Sequence, residues 1–234
     1  MSEPQSLRTT FVLVHGATAG GWQWAAVAQL LRDSGHAVYT PTLAGLGERA
    51  HLLSRSVDLD THIEDVAGLL RVEDLCGVVL VGKSYAGMVV TGVAERVPER
   101  LRRLVYLDAM VPEDGQSMLD VLGPVAAEHL RALVQSQGDG WLLPLPPGAP
   151  ERLTPHPFAC LTQPLPLRNP AARLLPRTYI RCTLGPSEGP HGLATARMLQ
   201  RGRAQGWDTY EINADHDAEQ HAPALVAGLL ANKA

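Results

Sequence analysis

Several classes of protein are excluded by what this chain lacks. It has no block of basic residues, and 20 Lys+Arg against 24 Asp+Glu leave a formal charge of −4, so no nucleic-acid partner is expected. No apolar run approaches the roughly 20 residues of a membrane-spanning helix. Residues 1–10 are polar and run into an apolar strand without the layout of a signal peptide. The expectation is a cytoplasmic protein with no membrane partner. The three cysteines, Cys76, Cys160 and Cys182, are few, far apart and without a C-x-x-C pair. Neither a disulfide framework nor a zinc site is expected, and reduced, buried thiols are the default. The glycine-rich turn at 15–21 matches neither G-x-G-x-x-G nor a phosphate loop ending in Lys-Ser/Thr, which argues against a nucleotide. No metal and no cofactor is expected.

What is present suits an α/β protein. The chain has 234 residues, of which 45% are hydrophobic and 19% charged, enough to bury a full core in one domain with some insertion. Short apolar, β-branched runs at 10–14, 37–40, 77–82, 101–107, 177–182 and 207–212 read as strands. Helical spacing appears at 22–32, 61–70, 86–95, 193–203 and 223–230, with Gly35 placed as a C-cap and Glu64 as a capping-box partner of Asp60 or Thr61. Strands alternating with helices imply a mostly parallel sheet covered on both faces. From 112 to 176 the pattern changes to two helical pieces and a Pro/Gly-rich stretch. This segment is expected to be a cap inserted into a single domain spanning 1–234.

The stretch from Gly77 to Val90 carries the chemistry. An apolar run meets Ser84, flanked two residues away by Gly82 and Ala86, and a helical stretch follows. A nucleophile elbow needs this: a strand turning sharply into a helix with a strained serine at its tip and small residues on either side. A structural alternative is a serine capping a helix after a glycine turn. Loops at the C-terminal strand ends gather on one side of a parallel sheet. Here those loops carry His15-Gly16-Ala17, Ser84, Asp108 and His216. The turn after the first strand is suited to pointing the Ala17 N–H at a reacting oxyanion, with His15 shaping the loop.

These stretches resemble the α/β-hydrolase superfamily. The resemblance runs through FVLVHGATAGGWQW, PTLAGLGERAHLL, DTHIEDVAGLL, VVLVGKSYAGMVV, RLVYLDAMVPEDGQS, PRTYIRCT and ADHDAEQHAPALVAGLL. Within the superfamily the chain looks like small bacterial esterases and the plant methylesterase and hydroxynitrile lyase group. The resemblance implies Ser84 as nucleophile, His216 as base, and the amides of Ala17 and Tyr85 as oxyanion donors. Two positions depart from the pattern. Related esterases often read C-T-x-D where this chain has Cys182-Thr183-Leu184-Gly185, so the usual acid is replaced by glycine. Asp108, which follows the strand next to the elbow, is the preferred substitute, and Glu188 is the alternative. Lys83 stands where many relatives have His, and is assigned no catalytic role.

The expected reaction is acyl transfer on a small or aromatic carboxylic ester through a Ser-His-acid triad. Ser84 excludes the relatives that attack with a carboxylate. Hydroxynitrile lyases of this kind use a Thr in the oxyanion turn and a Lys after the histidine, and here those positions hold Gly16 and Asp217. Trp141 and Phe158, with Leu142 and Leu143, are candidates for an apolar substrate pocket. A ligand-binding protein that kept the fold, favoured by Gly185, and a lyase on the same scaffold remain the competing readings. The partner is a small-molecule ester, and the oligomeric state, a homodimer included, is open.

Overall fold

The computed structural model describes residues 8–185 and 188–232. Residues 1–7 lie outside them, as do two residues of the Gly/Pro loop before Glu188. Six strands form one parallel sheet: β1 (Thr10–Val14), β2 (Ala37–Tyr39), β3 (Val78–Lys83), β4 (Leu101–Leu107), β7 (Arg177–Cys182) and β8 (Asp208–Ile212). Their order is β2-β1-β3-β4-β7-β8. The chain starts at β1, moves outward to β2, then crosses back to β3 and continues the other way. The direction of winding therefore reverses between β1 and β3. Loops leaving the two strands diverge there and open a crevice at their C-terminal ends.

Alternation along the strands divides the core in two. Val12, Leu80, Leu104 and Tyr106 share one face with Ile63 and Val66 of α2 (Leu59–Val72), Val89 and Val93 of α3 (Ala86–Arg96), and Met198 of α8 (Pro190–Ala204). Phe11, Leu13, Val81 and Val105 share the other with Val27 and Leu31 of α1 (Ala25–Asp33) and Val226 and Leu230 of α10 (Pro223–Ala231). The central strand β3 is buried along its whole length. Each fully buried Val or Leu there contributes about 1.5–3 kcal/mol, so the strand that positions Ser84 is firmly anchored in the core.

Between β4 and β7 the chain leaves the sheet. It forms α4 (Met118–Leu122), α5 (Pro124–Gln137), a two-stranded antiparallel ribbon of β5 (Leu142–Leu143) and β6 (His156–Pro157), then α6 (Ala159–Thr162) and α7 (Pro170–Arg173). A short helix α9 (Ala218–His221), absent from the sequence pattern, precedes α10.

The capping box of α2 differs from the expected one. Asp58 is the N-cap: its Oδ1 accepts from the Thr61 N–H at 2.9 Å, and Thr61 Oγ1 in turn accepts from the Asp58 N–H at 3.4 Å. Helix α2 therefore begins at Leu59, two residues before the expected start, and Asp60 and Glu64 are left to pair with Arg96 of α3. Among the cysteines, Cys160 and Cys182 are buried but Cys76 is exposed, against expectation; it lies in the turn before β3, outside the packed faces.

Candidate active site

Ser84 follows β3 directly and has φ of 56°, a left-handed conformation that costs a non-glycine residue energy and persists only where the surroundings impose it. Its N–H donates to Leu107 O at 3.1 Å, and its carbonyl accepts from Met110 N at 3.0 Å and Gly87 N at 3.1 Å. The turn is thus bolted to the end of β4. A Cβ at Gly82 would lie 2.7 Å from Ala86 O, so the elbow closes only over a glycine. A Cβ at Gly16 would come within 3.2 Å of Ser84 Cβ, which places the turn after β1 against the serine.

His216 lies on the loop after β8. Its Nε2 is 3.0 Å from Ser84 Oγ, and its Nδ1 is 2.8 Å from Asp108 Oδ2. Asp108 follows β4 and also has a positive φ, 46°. Its N–H donates to Ile180 O at 2.7 Å, and its Oδ1 accepts from Cys182 N–H at 3.1 Å. Both ends of the acid are therefore fixed to β7. A carboxylate only accepts, so Nδ1 of His216 carries the proton and Nε2 presents its lone pair to Ser84. Burial opposes ionisation of Asp108, but hydrogen bonds from His191 and His216 outweigh it and hold the acid well below the ordinary carboxylate range. Loss of hydration lowers the pKa of His216, with the Asp108 hydrogen bond opposing and Lys83 adding to the shift. The ring is neutral at neutral pH and ready to accept a proton.

Ala17 and Tyr85 flank this arrangement from two loops. Among the described residues no hydrogen bond occupies the backbone N–H of either. The turn beyond Ala17 is held from outside. Thr18 has φ of 64°; its N–H donates to His156 Nδ1 at 3.2 Å and its carbonyl accepts from Thr154 N at 2.8 Å. Beneath lies a buried cluster. The Tyr85 hydroxyl meets His62 Nδ1 at 2.9 Å, and His62 Nε2 meets Ala44 O at 2.9 Å. Because a carbonyl only accepts, Nε2 donates and Tyr85 O–H donates to Nδ1. The His156 ring stands edge-on to Tyr85 at 4.7 Å, with no hydrogen-bond partner for its Nε2 among the described residues. Burial lowers the pKa of His62 and of His156, and pushes that of His15 down to about 4. His15 shapes its loop as expected, accepting from Leu43 N at 3.1 Å through Nε2.

Lys83 is almost fully buried and forms an ion pair with Asp217, with Glu219 Oε1 at 3.5 Å. The loop of His216 is thereby tied to the strand of Ser84. Asp215 pairs with His221 at 2.7 Å, so neither acid flanking His216 reaches its ring.

Of the residues singled out in the sequence, Ser84, His216 and Asp108 come together in one relay. Glu188 sits exposed in the turn before α8, and the acid hydrogen-bonded to His216 is Asp108. Trp141 and Phe158 line a cavity of about 230 Å³ with Arg55, Val57 and Thr162, a cavity lined by neither Ser84 nor His216. The Arg55 guanidinium stacks 5.0 Å above the Trp141 ring. His191, near the start of α8, was not legible: its Nε2 donates to Asp108 Oδ2 at 2.8 Å. A lone histidine in a Gly/Pro stretch gives no signal of such a role. His62 and His156 are likewise single histidines in unrelated segments.

The sequence model described as the alpha/beta hydrolase family matches residues 11–229. The chain is 37% identical over 240 residues to a carbendazim hydrolyzing esterase of Nocardioides sp. (strain SG-4G), covering 94% of this chain and 98% of that one. It is 29% identical over 120 residues to putative methylesterase 11, chloroplastic, of Arabidopsis thaliana, across 51% of this chain and 31% of the plant protein. The solved structure of an extracellular alpha/beta-hydrolase from a Paenibacillus species superposes with a TM-score of 0.80 at 27% identity, over 96% of this chain and 98% of that one.

Proposed function

The chain belongs to the alpha/beta hydrolase family, and from that premise we propose that it is a serine esterase in which Ser84, His216 and Asp108 do the chemistry. One observation carries the assignment: the continuous hydrogen-bonded relay from Ser84 Oγ through His216 to Asp108, at 3.0 and 2.8 Å. Ser84 is a weak nucleophile until His216 Nε2 takes its proton as Oγ attacks the ester carbonyl. Asp108 holds the tautomer and stabilises the imidazolium that forms. The N–H groups of Ala17 and Tyr85 receive the developing oxyanion, each worth about 2.7–4 kcal/mol in comparable enzymes. His216 then protonates the leaving alcohol, and water repeats the sequence to release the acid from the acyl-enzyme.

Gly185 was the feature favouring a protein that binds without turnover. The Asp108 hydrogen bond to His216 supports turnover instead, with an acid reaching the base from another strand. The segment 112–176 acts as a cap, and its contacts with Thr18 support that role. The substrate is a small or aromatic carboxylic ester, with a carbamate or lactone as the alternative. The bacterial relative makes carbendazim the first compound to try beside a p-nitrophenyl ester series. Purified protein hydrolyses at least one of these, and Ser84→Ala abolishes the activity while keeping the melting temperature. Hydrolysis that survives Ser84→Ala sinks the reading.

A further inference from the structure

The relay has a second side, and the sequence pattern of the fold does not account for it. His191 and His216 approach Asp108 together: both donor nitrogens lie 2.8 Å from the same Oδ2, and the rings pack edge to face at 4.2 Å. A Ser-His-Asp triad needs one histidine and one carboxylate. Here a second imidazole completes a two-histidine, one-carboxylate set, whose three ligand atoms lie within 4.8 Å of one another. The set faces a cavity of about 290 Å³, lined also by Thr183, Gly185 and Gly189. The His191 and His216 side chains are 39% and 37% exposed, so a solute reaches them. A Cβ at Gly185 would meet nothing within 4 Å. Gly185 and Asp108 thus line the same cavity with open space at the glycine.

We propose that His191, Asp108 and His216 form a binding site for a divalent transition-metal cation of the zinc class, and that its occupancy switches hydrolysis off. The switching rests on the relay assigned above; the binding does not. Imidazole nitrogen and carboxylate oxygen are the donors such ions prefer, at about 2.0–2.2 Å. Donors that close to one ion in tetrahedral array stand about 3.3 Å apart, so each nitrogen–oxygen separation of 2.8 Å needs to open by roughly half an ångström. Water fills the remaining positions from the cavity. Asp108 stays oriented through Oδ1, which Cys182 N–H holds. Lys83, a cation near this loop, is already paired with Asp217.

The proton inventory makes the ion an inhibitor. In the free protein both rings donate an N–H to Oδ2. Ligation takes the lone pair at those same nitrogens, so the proton of His216 moves from Nδ1 to Nε2, and that of His191 from Nε2 to Nδ1. No proton is lost and no oxidation state changes. With Nε2 protonated, His216 no longer accepts the proton of Ser84. The other grouping of this kind among the described residues, His62, His156 and Cys160, is wholly buried, and both His62 nitrogens are already hydrogen-bonded.

The test titrates ZnCl2 into the purified protein during p-nitrophenyl ester hydrolysis, with EDTA reversal, and separately follows the visible absorption of added Co²⁺. Each variant is scaled to its own metal-free rate and checked by thermal melt. Zinc inhibits the wild type reversibly, and Co²⁺ gives a ligand-field spectrum. His191→Phe raises the half-inhibiting zinc concentration about tenfold or more and removes the spectrum. His191→Leu, a smaller replacement without a ligand atom, does the same. Equal inhibition of wild type and His191→Phe, or no cobalt spectrum with the wild type, overturns the proposal. If no ester is hydrolysed even without metal, the esterase reading fails, and the cobalt spectrum alone still decides whether the site exists.

Discussion

Replacing Asp108 by asparagine tests the acid assignment in atomic detail. In the wild type Oδ1 accepts from Cys182 N–H while Oδ2 accepts from His216 and His191. An asparagine has one oxygen and one NH2 group, so it cannot accept at both ends. If its oxygen faces Cys182, its NH2 faces His216 and selects the tautomer with the proton on Nε2, which cannot take the proton of Ser84. If its oxygen faces the histidines, its NH2 opposes the Cys182 N–H, leaving two buried donors face to face. The first orientation breaks the relay, and the second keeps the tautomer only by opposing two buried donors, so the substitution favours the broken relay without a change in side-chain size. The corresponding substitution in a serine protease lowers kcat about 10⁴-fold. A second histidine competing for the same oxygen makes recovery of the right tautomer harder here. The expected loss in kcat is about 10³–10⁴-fold, equivalent to roughly 4–5.5 kcal/mol of transition-state stabilisation. Glu188→Gln, in an exposed turn, changes kcat by less than about threefold. Steady-state hydrolysis of a p-nitrophenyl ester by both variants, with folding confirmed by circular dichroism, reads the difference. An Asp108→Asn enzyme within tenfold of wild type, beside a Glu188→Gln enzyme that has collapsed, would refute the reasoning.

Other expectations follow from the same geometry. Because the pKa of His216 is lowered, kcat/KM holds through neutrality and falls only on acidification, along a limb with its midpoint below about 6.5; a midpoint above 7 in the pH profile contradicts this. Lys83→Met strips the counter-charge from Asp217 and the buried Glu219, and should destabilise by about 3–5 kcal/mol in urea unfolding. Adding Glu219→Gln recovers part of the loss, and simple additivity of the two would show that the pair is not coupled. His156→Phe removes the acceptor for Thr18 N–H, a half-buried donor whose loss costs about 1 kcal/mol. It therefore lowers kcat roughly tenfold with little change in KM, whereas His156→Asn, which keeps an acceptor near Nδ1, retains most of the rate.

The parts of the site legible in the sequence are those with a local steric or positional cause. Ser84 is marked by Gly82, whose side-chain position is closed off by Ala86 O, and His216 by its place between the last sheet strand and the last long helix. Strand β7 is readable to the residue, because a short run with the strand formers Thr178, Tyr179 and Ile180 is bounded by Pro176 and the loop at Thr183. Residues acting across the fold were harder. The choice of Asp108 over Glu188 depends on β4 lying beside β7, which periodicity does not report. His191 and His156 act through single long-range hydrogen bonds, at sequence separations of 83 and 138. The cap was not foldable from its residues: its ribbon has two residues per strand, too short for alternation to register. The α2 cap was misplaced because Thr61, rather than Glu64, supplies the reciprocal bond to Asp58.

The central claim is that Ser84 is the nucleophile and that His216 activates it. A fluorophosphonate probe forms a covalent adduct only with an activated serine, and peptide mass spectrometry locates the adduct. The account predicts stoichiometric labelling on the peptide that carries Ser84, none with Ser84→Ala, and labelling slowed by several orders of magnitude with His216→Ala. An adduct on another residue, or unchanged labelling of Ser84 in the His216→Ala protein, would contradict it.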